Sequence, residues 1–141
     1  MSPNSAPPPG AWREPAPTVS LIGVVDDDES VRDALSSLIR SAGYRCIVFP
    51  SAEEFLDSPD MYKTDCTVLD NRMPGLSGLE LQLRLREMNY PVPIIFVTAH
   101  ADDLVRTQAL QQGAVAFLGK PCSEDALLGA IRSAIESSAT N

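Results

Sequence analysis

Cysteine is scarce: Cys46, Cys66 and Cys122 are the only three in 141 residues. They are too few and too scattered for a disulfide framework or a zinc site, and they suit a reducing cytosol. Long apolar runs are missing too, since nothing approaches the ~20 uninterrupted apolar residues of a membrane span. The sequence does not open with a basic segment leading into an apolar core, so a secretory signal is not expected. Positive charge is in the minority, with 11 Lys and Arg against 19 Asp and Glu and a net charge of −8. So acidic a chain is not expected to bind a nucleic-acid backbone by itself. These shortages disfavour a membrane protein, a secreted disulfide scaffold and a stand-alone DNA binder, and they point to a cytoplasmic location. What is present is ordinary for a globular domain, with 44% hydrophobic and 21% charged residues. The length supports one hydrophobic core and not two.

Six of the twelve prolines lie in the first seventeen residues, where no periodic pattern runs. Residues 1–17 therefore read as a disordered or polyproline-like tail. Trp12 within it reads as an incidental exposed aromatic or as a docking anchor. From Val19 the texture changes, and residues 18–137 read as one domain, followed by a frayed terminus over 138–141. Five β-rich apolar runs recur: Val19 to Val25, Arg45 to Phe49, Cys66 to Leu69, Pro93 to Val97 and Val115 to Leu118. Between the first two, Val31, Ala34, Leu35, Leu38, Ile39 and Ala42 recur at helical spacing, and Gly43 closes that helix. Ser51 and Glu54 frame a capping box ahead of a short helix carrying Phe55 and Leu56. Leu79, Leu81, Leu83 and Leu85 alternate with polar residues, which by period alone indicates a strand. Another capping box at Ser77 and Glu80, and a segment to Met88 without β-branched residues, overrule that in favour of a helix. A weaker helix spans Asp102 to Gln112. Ser123 caps a last one, whose buried face is Leu127, Leu128, Ile131 and Ile135. Apolar strands alternating with amphipathic helices predict an open, doubly wound α/β fold with a parallel sheet covered on both faces.

In such a sheet, function collects outside the carboxyl ends of the strands. The first strand ends at Asp26 and Asp27, the third at Asp70 and the fourth at Thr98, and the fifth is followed by Lys120. Asp28 is a helix N-cap or merely solvated. Three clustered carboxylates repel one another unless a cation sits among them. Hard oxygen donors with open positions suit Mg²⁺, which is held by one or two carboxylates plus a phosphate oxygen. Asp70, as the central carboxylate, can attack phosphorus and form an aspartyl-phosphate. Lys120 and the Thr98 hydroxyl would meet the incoming phosphoryl oxygens. Each residue alone has a bland explanation; four strand ends together do not.

The segments Val24-Val-Asp-Asp-Asp-Glu29, Val68-Leu-Asp-Asn-Arg-Met-Pro-Gly75, Val97-Thr-Ala-His100 and Phe117-Leu-Gly-Lys-Pro121 resemble the receiver (phosphoacceptor) domain of bacterial two-component response regulators. The likeness covers about residues 19 to 136. It implies a flavodoxin-like sheet of five parallel strands in the order 2-1-3-4-5, with five helices. It implies that Asp70 is phosphorylated by a sensor histidine kinase or a phosphotransfer protein. By the same resemblance, Asp27 binds Mg²⁺ directly, Asp26 acts through water, and Asp70 and the Arg72 backbone carbonyl complete the protein ligands. Thr98 and Phe117 are the switch pair, Lys120 meets a phosphoryl oxygen, and Lys120–Pro121 is a cis peptide. Ala99 matches the small residue that leaves access to the site, and Arg72 holds a position that tunes phosphate lifetime. His100, two past the threonine, resembles the nitrogen-fixation regulator subgroup, and it reads as an exposed loop residue rather than a phosphodonor.

The expected protein is thus a signalling switch rather than a conventional enzyme, with self-dephosphorylation as its timer. It has an unknown downstream protein target and, when phosphorylated, a homodimer among its partners. Cys122 departs from the family, which commonly carries Phe after Lys-Pro. The family's nitrogen-fixation members precede a DNA-binding half that this sequence lacks, so a stand-alone receiver and a fragment both remain open. A haloacid dehalogenase-type phosphohydrolase would need an acid two residues after its nucleophile, where Arg72 stands. A pseudo-receiver would have lost a pocket residue, and none is lost.

Overall fold

A computed structural model of the chain describes residues 19–139. The expected tail over residues 1–17, with Trp12, lies outside them, as do the last two residues. The elements follow in order: β1 (Leu21–Val25), α1 (Glu29–Ser41), β2 (Arg45–Phe49), α2 (Ala52–Asp57), β3 (Cys66–Leu69), α3 (Gly78–Glu87), β4 (Ile94–Thr98), α4 (Asp103–Gln111), β5 (Ala116–Gly119) and α5 (Glu124–Ala139). All strand pairs are parallel, and the sheet order is β2-β1-β3-β4-β5, as the resemblance implied. Every residue of the central strands β1, β3 and β4 is buried, which parallel strands require because helices cover both faces.

Successive strand residues alternate between two cores. Val25, Leu69 and Phe96 join Phe55, Leu81, Leu85 and Ala109 on the face covered by α2, α3 and α4. Ile22, Val24, Val68, Ile95 and Val97 meet Ile39, Leu127 and Ile131 on the face covered by α1 and α5. Fully burying one such aliphatic side chain contributes about 1.5–3 kcal/mol. The three cysteines are free. Burial pushes the Cys66 thiol up to about 12, so it packs as an inert hydrophobe.

The leucine alternation resolves as a helix. Leu81 and Leu85 are fully buried one turn apart, while Leu83 is exposed. The reciprocal capping box at Ser77 and Glu80 forms in full. At Ser51 the hydroxyl accepts from the Glu54 N–H at 3.1 Å, which is half of the expected box. Strand starts shift inward from the expected bounds. Val19 stays exposed while the Leu21 N–H is taken by Asp65, and Pro93, which has no N–H to donate, precedes β4. The last helix runs through Ala139, two residues into the stretch expected to fray, because no Gly or Pro follows Gly129 to stop it. A 3₁₀ turn over Pro59–Lys63, capped by Ser58, was not anticipated.

Candidate functional site

Each expected side chain leaves the sheet at a strand end. The Asp26 N–H bonds the Phe49 carbonyl at 3.1 Å, and the Asp70 N–H bonds the Val25 carbonyl at 3.0 Å. These bonds carry the pairing of β1, β2 and β3 one residue past the strands, so both carboxylates sit side by side on a rigid rim. Lys120 reaches them from beyond β5. Its Nζ lies 2.7 Å from Asp26 Oδ2 and 3.5 Å from Asp70 Oδ2. The Lys120–Pro121 peptide bond is cis. Asp26 and Asp70 are almost fully buried, while Asp27 is exposed at the mouth. One oxygen from each of the three acids falls within 4.8 Å of the others.

The electrostatics follow from this burial. Burial pushes the Asp70 carboxyl above its ordinary value. Lys120 pulls it down, Asp26 pushes it up, and the Thr98 hydroxyl and the Asn71 N–H hold it down. For Lys120 the largest influence, burial, acts downward, yet the bond to Asp26 and the charges of Asp70 and Asp26 together leave its ammonium above the ordinary value. One partly buried ammonium therefore faces two buried carboxylates and a third at the mouth. Such a set of hard, closely spaced anionic oxygens, with a negative excess, fits a divalent cation of the Mg²⁺ class. Asp26, Asp27 and Asp70 are the side chains able to hold it. Exposed Arg72 lies two residues past Asp70 in the same loop.

Thr98 is fully buried at the end of β4, and its Oγ1 accepts from the His100 N–H at 3.2 Å. The Lys120 N–H bonds the Thr98 carbonyl at 2.9 Å, tying the two strand ends together. Phe117, half-buried on β5, packs 5.7 Å from the buried ring of Phe96 at an interplanar angle of 31°. Ala99 and His100 are exposed at the rim. Asp28 is the N-cap of α1, accepting from the Ser30 and Val31 N–H groups, and the Ser30 hydroxyl is the largest cause holding its carboxyl below the usual range. Cys122 packs half-buried against the α1/α5 core.

Three shaping residues escaped the sequence reading. Asn71 is buried and ties the loop to α3: its carbonyl accepts from the Gly78 N–H at 2.9 Å, and its Oδ1 from the Leu79 N–H at 3.0 Å. A Cβ on Gly78 would lie 2.4 Å from the Asp70 carbonyl oxygen, so only glycine lets α3 start this close to the acceptor. Glu53 of α2 accepts from the Leu76 N–H at 2.8 Å, and that bond is the largest cause holding its carboxyl low. The Glu53 carboxylate fills the space beside Gly75, which has φ +78°. A glycine at the first turn of a helix was the one available signal; the contacts of Asn71 and Glu53 leave no mark in spacing or composition.

The family model described as "Response regulator receiver domain" matches residues 22–132. The response regulator protein TmoT of Ectopseudomonas mendocina is 45% identical over 117 residues, 83% of this chain and 53% of that protein. The transcriptional regulatory protein FixJ of Bradyrhizobium diazoefficiens is 42% identical over 118 residues, 84% of this chain and 58% of that protein. The chain thus spans about half the length of the curated relatives it matches. Among solved structures, the response regulator StyR superposes with TM-score 0.80 at 43% identity, covering 87% of this chain and 62% of that one. The crystal structure of FixJ-N superposes with TM-score 0.77 at 34% identity, covering 84% and 95%. The nitrogen-fixation likeness read from the sequence is consistent with these relatives. The chain belongs to the response regulator receiver domain family, the signalling switches of two-component systems.

Proposed function

We propose that Asp70 is the phosphoacceptor of this receiver and that a histidine kinase or phosphotransfer protein supplies the phosphoryl group as phosphohistidine. The observation that carries this reading is the Lys120 ammonium set between Asp26 and Asp70, at 2.7 and 3.5 Å. An Asp70 oxygen attacks phosphorus as the phosphorus–nitrogen bond breaks, and the bonding electron pair leaves with the imidazole. Lys120 turns from Asp70 to a phosphoryl oxygen and orients the group in line. Asp26, Asp27, Asp70 and the Arg72 carbonyl would hold Mg²⁺, which when bound supplies the positive charge that offsets the phosphoryl oxygens.

Thr98 then gives up its bond from His100 to donate its hydroxyl to the phosphoryl group. The space it leaves admits the half-exposed Phe117 ring. That pair biases the surface of α4, β5 and α5 between two arrangements, by the differential contacts of about 1.5–2 added negative charges. The output is a contact with a downstream protein or a second copy of the chain, not with nucleic acid directly. The timer is self-dephosphorylation: water attacks phosphorus, the Asp70–phosphorus bond breaks, and free phosphate and the carboxylate return. Intact mass after incubation with Mg²⁺ and acetyl phosphate tests the assignment. The wild type should gain one phosphoryl group and Asp70→Ala none; an adduct persisting in the variant refutes it.

A further inference from the structure

Asn71 makes three hydrogen bonds at the head of the loop that follows Asp70. Its N–H donates to Asp70 Oδ1 at 2.8 Å. Its carbonyl accepts from the Gly78 N–H at 2.9 Å, and its Oδ1 from the Leu79 N–H at 3.0 Å. The last two bonds satisfy donors that the first turn of α3 cannot pair within the helix, and the Ser77 hydroxyl takes a third, from Glu80. The far end of the loop is held as well. The Leu76 N–H bonds Glu53 at 2.8 Å, and Met73 is buried in the core beneath α2 and α3. Exposed Arg72 is the one residue between Asn71 and Met73. Its carbonyl therefore sits between a peptide bonded to α3 and a packed side chain.

We propose that Asn71 is a positioning residue for metal uptake: its side-chain amide holds the loop on α3, so that the Asp70 carboxylate and the Arg72 carbonyl present their oxygens together. The proposal rests on the metal site set out under the proposed function. Backbone bonds alone do not achieve this, since any residue at 71 except proline offers the same N–H and carbonyl. What Asn adds is a side-chain acceptor that reaches the Leu79 N–H. Without it, that N–H is an orphan at the helix start and the head of the loop is freer to turn. The ordering of the loop is then drawn from the binding free energy of the ion, which is held less tightly although every acidic ligand is intact.

The test uses the full chain and four variants. Asn71→Leu has the same branching and no acceptor, and Asn71→Ala removes the acceptor without a bulkier side chain. Asn71→Asp keeps both shape and acceptor. Ile131→Val is a truncation in the α1/α5 core, which lowers stability without touching the loop. In the metal-free protein, hydrogen exchange at the Leu79 amide should quicken about fivefold in Asn71→Leu and Asn71→Ala and stay within about twofold of wild type in Asn71→Asp. In a Mg²⁺ titration followed by the NMR shifts of the Asp27 and Arg72 amides, Asn71→Leu and Asn71→Ala should bind about fivefold more weakly, while Ile131→Val matches wild type. Unchanged Leu79 exchange or wild-type Mg²⁺ affinity in both acceptor-free variants, or a loss of affinity shared by Ile131→Val, overturns the proposal and leaves the metal site standing. A wild type that takes up no Mg²⁺ overturns the metal site and the proposal with it.

Discussion

Replacing Lys120 by methionine removes the one ammonium that, among the described residues, faces Asp26 and Asp70, and keeps most of the side-chain volume. At an effective dielectric of ~20, unit charges 2.7 Å apart attract by about 6 kcal/mol, and those 3.5 Å apart by about 5 kcal/mol, before desolvation is subtracted. Deleting one partner of a buried pair typically costs about 3–5 kcal/mol, because the other charge is stranded. The Lys120 side chain keeps 19% of its surface in water while that of Asp26 keeps 2%, which favours the low end, about 3 kcal/mol. For a domain of this size that corresponds to a fall in Tm of about 12 °C. Urea and thermal denaturation followed by circular dichroism, with EDTA present, read both quantities. The deficit should shrink as pH falls, because the stranded carboxylates take up protons, and adding Asp70→Asn to Lys120→Met should recover part of it. A Lys120→Met protein within about 1 kcal/mol of wild type at pH 7 would refute the reasoning, since exposed pairs contribute about that much at most.

The other expectations concern the acceptor and its loop. Burial raises the Asp70 carboxyl, so its contribution to metal-free stability is fully present below the ordinary value of 3.8 and is lost as pH rises through the raised one. Asp70→Asn should therefore stabilise the metal-free protein at pH 7, with the gap closing at acid pH; urea midpoints at the two pH values measure it, and a less stable variant at pH 7 contradicts it. Glu53→Ala should speed hydrogen exchange at the Leu76 amide, which bonds the Glu53 carboxylate at 2.8 Å, while Glu53→Gln, still an acceptor, should leave it near wild type. Equal exchange in all three proteins would remove Glu53 from the account.

The strand ends were legible because a parallel sheet forces its chemistry to one edge, and the residues there, Asp26, Asp27, Asp70, Thr98 and Lys120, break sharply from the apolar runs before them. The α3 helix was legible despite its alternating leucines because Ser77 and Glu80 fix a helix start by local hydrogen bonding, which outranks a period of two. Strand starts were misjudged by one or two residues, since pairing partners and not composition decide where a ladder begins. The Asp65 carboxylate that takes the Leu21 N–H is 44 residues away. The same holds for Glu53 and Leu76, which are 23 residues apart. Contacts of that range are products of the fold, and no local spacing encodes them.

The central claim is that one side chain, Asp70, receives the phosphoryl group. Borohydride reduction converts an aspartyl-phosphate to homoserine, so reductive trapping after incubation with Mg²⁺ and acetyl phosphate, followed by peptide sequencing by mass, names the residue. Homoserine at position 70 is the predicted result. Homoserine at position 26 or 27, or a phosphoryl adduct on any other side chain, would contradict the account.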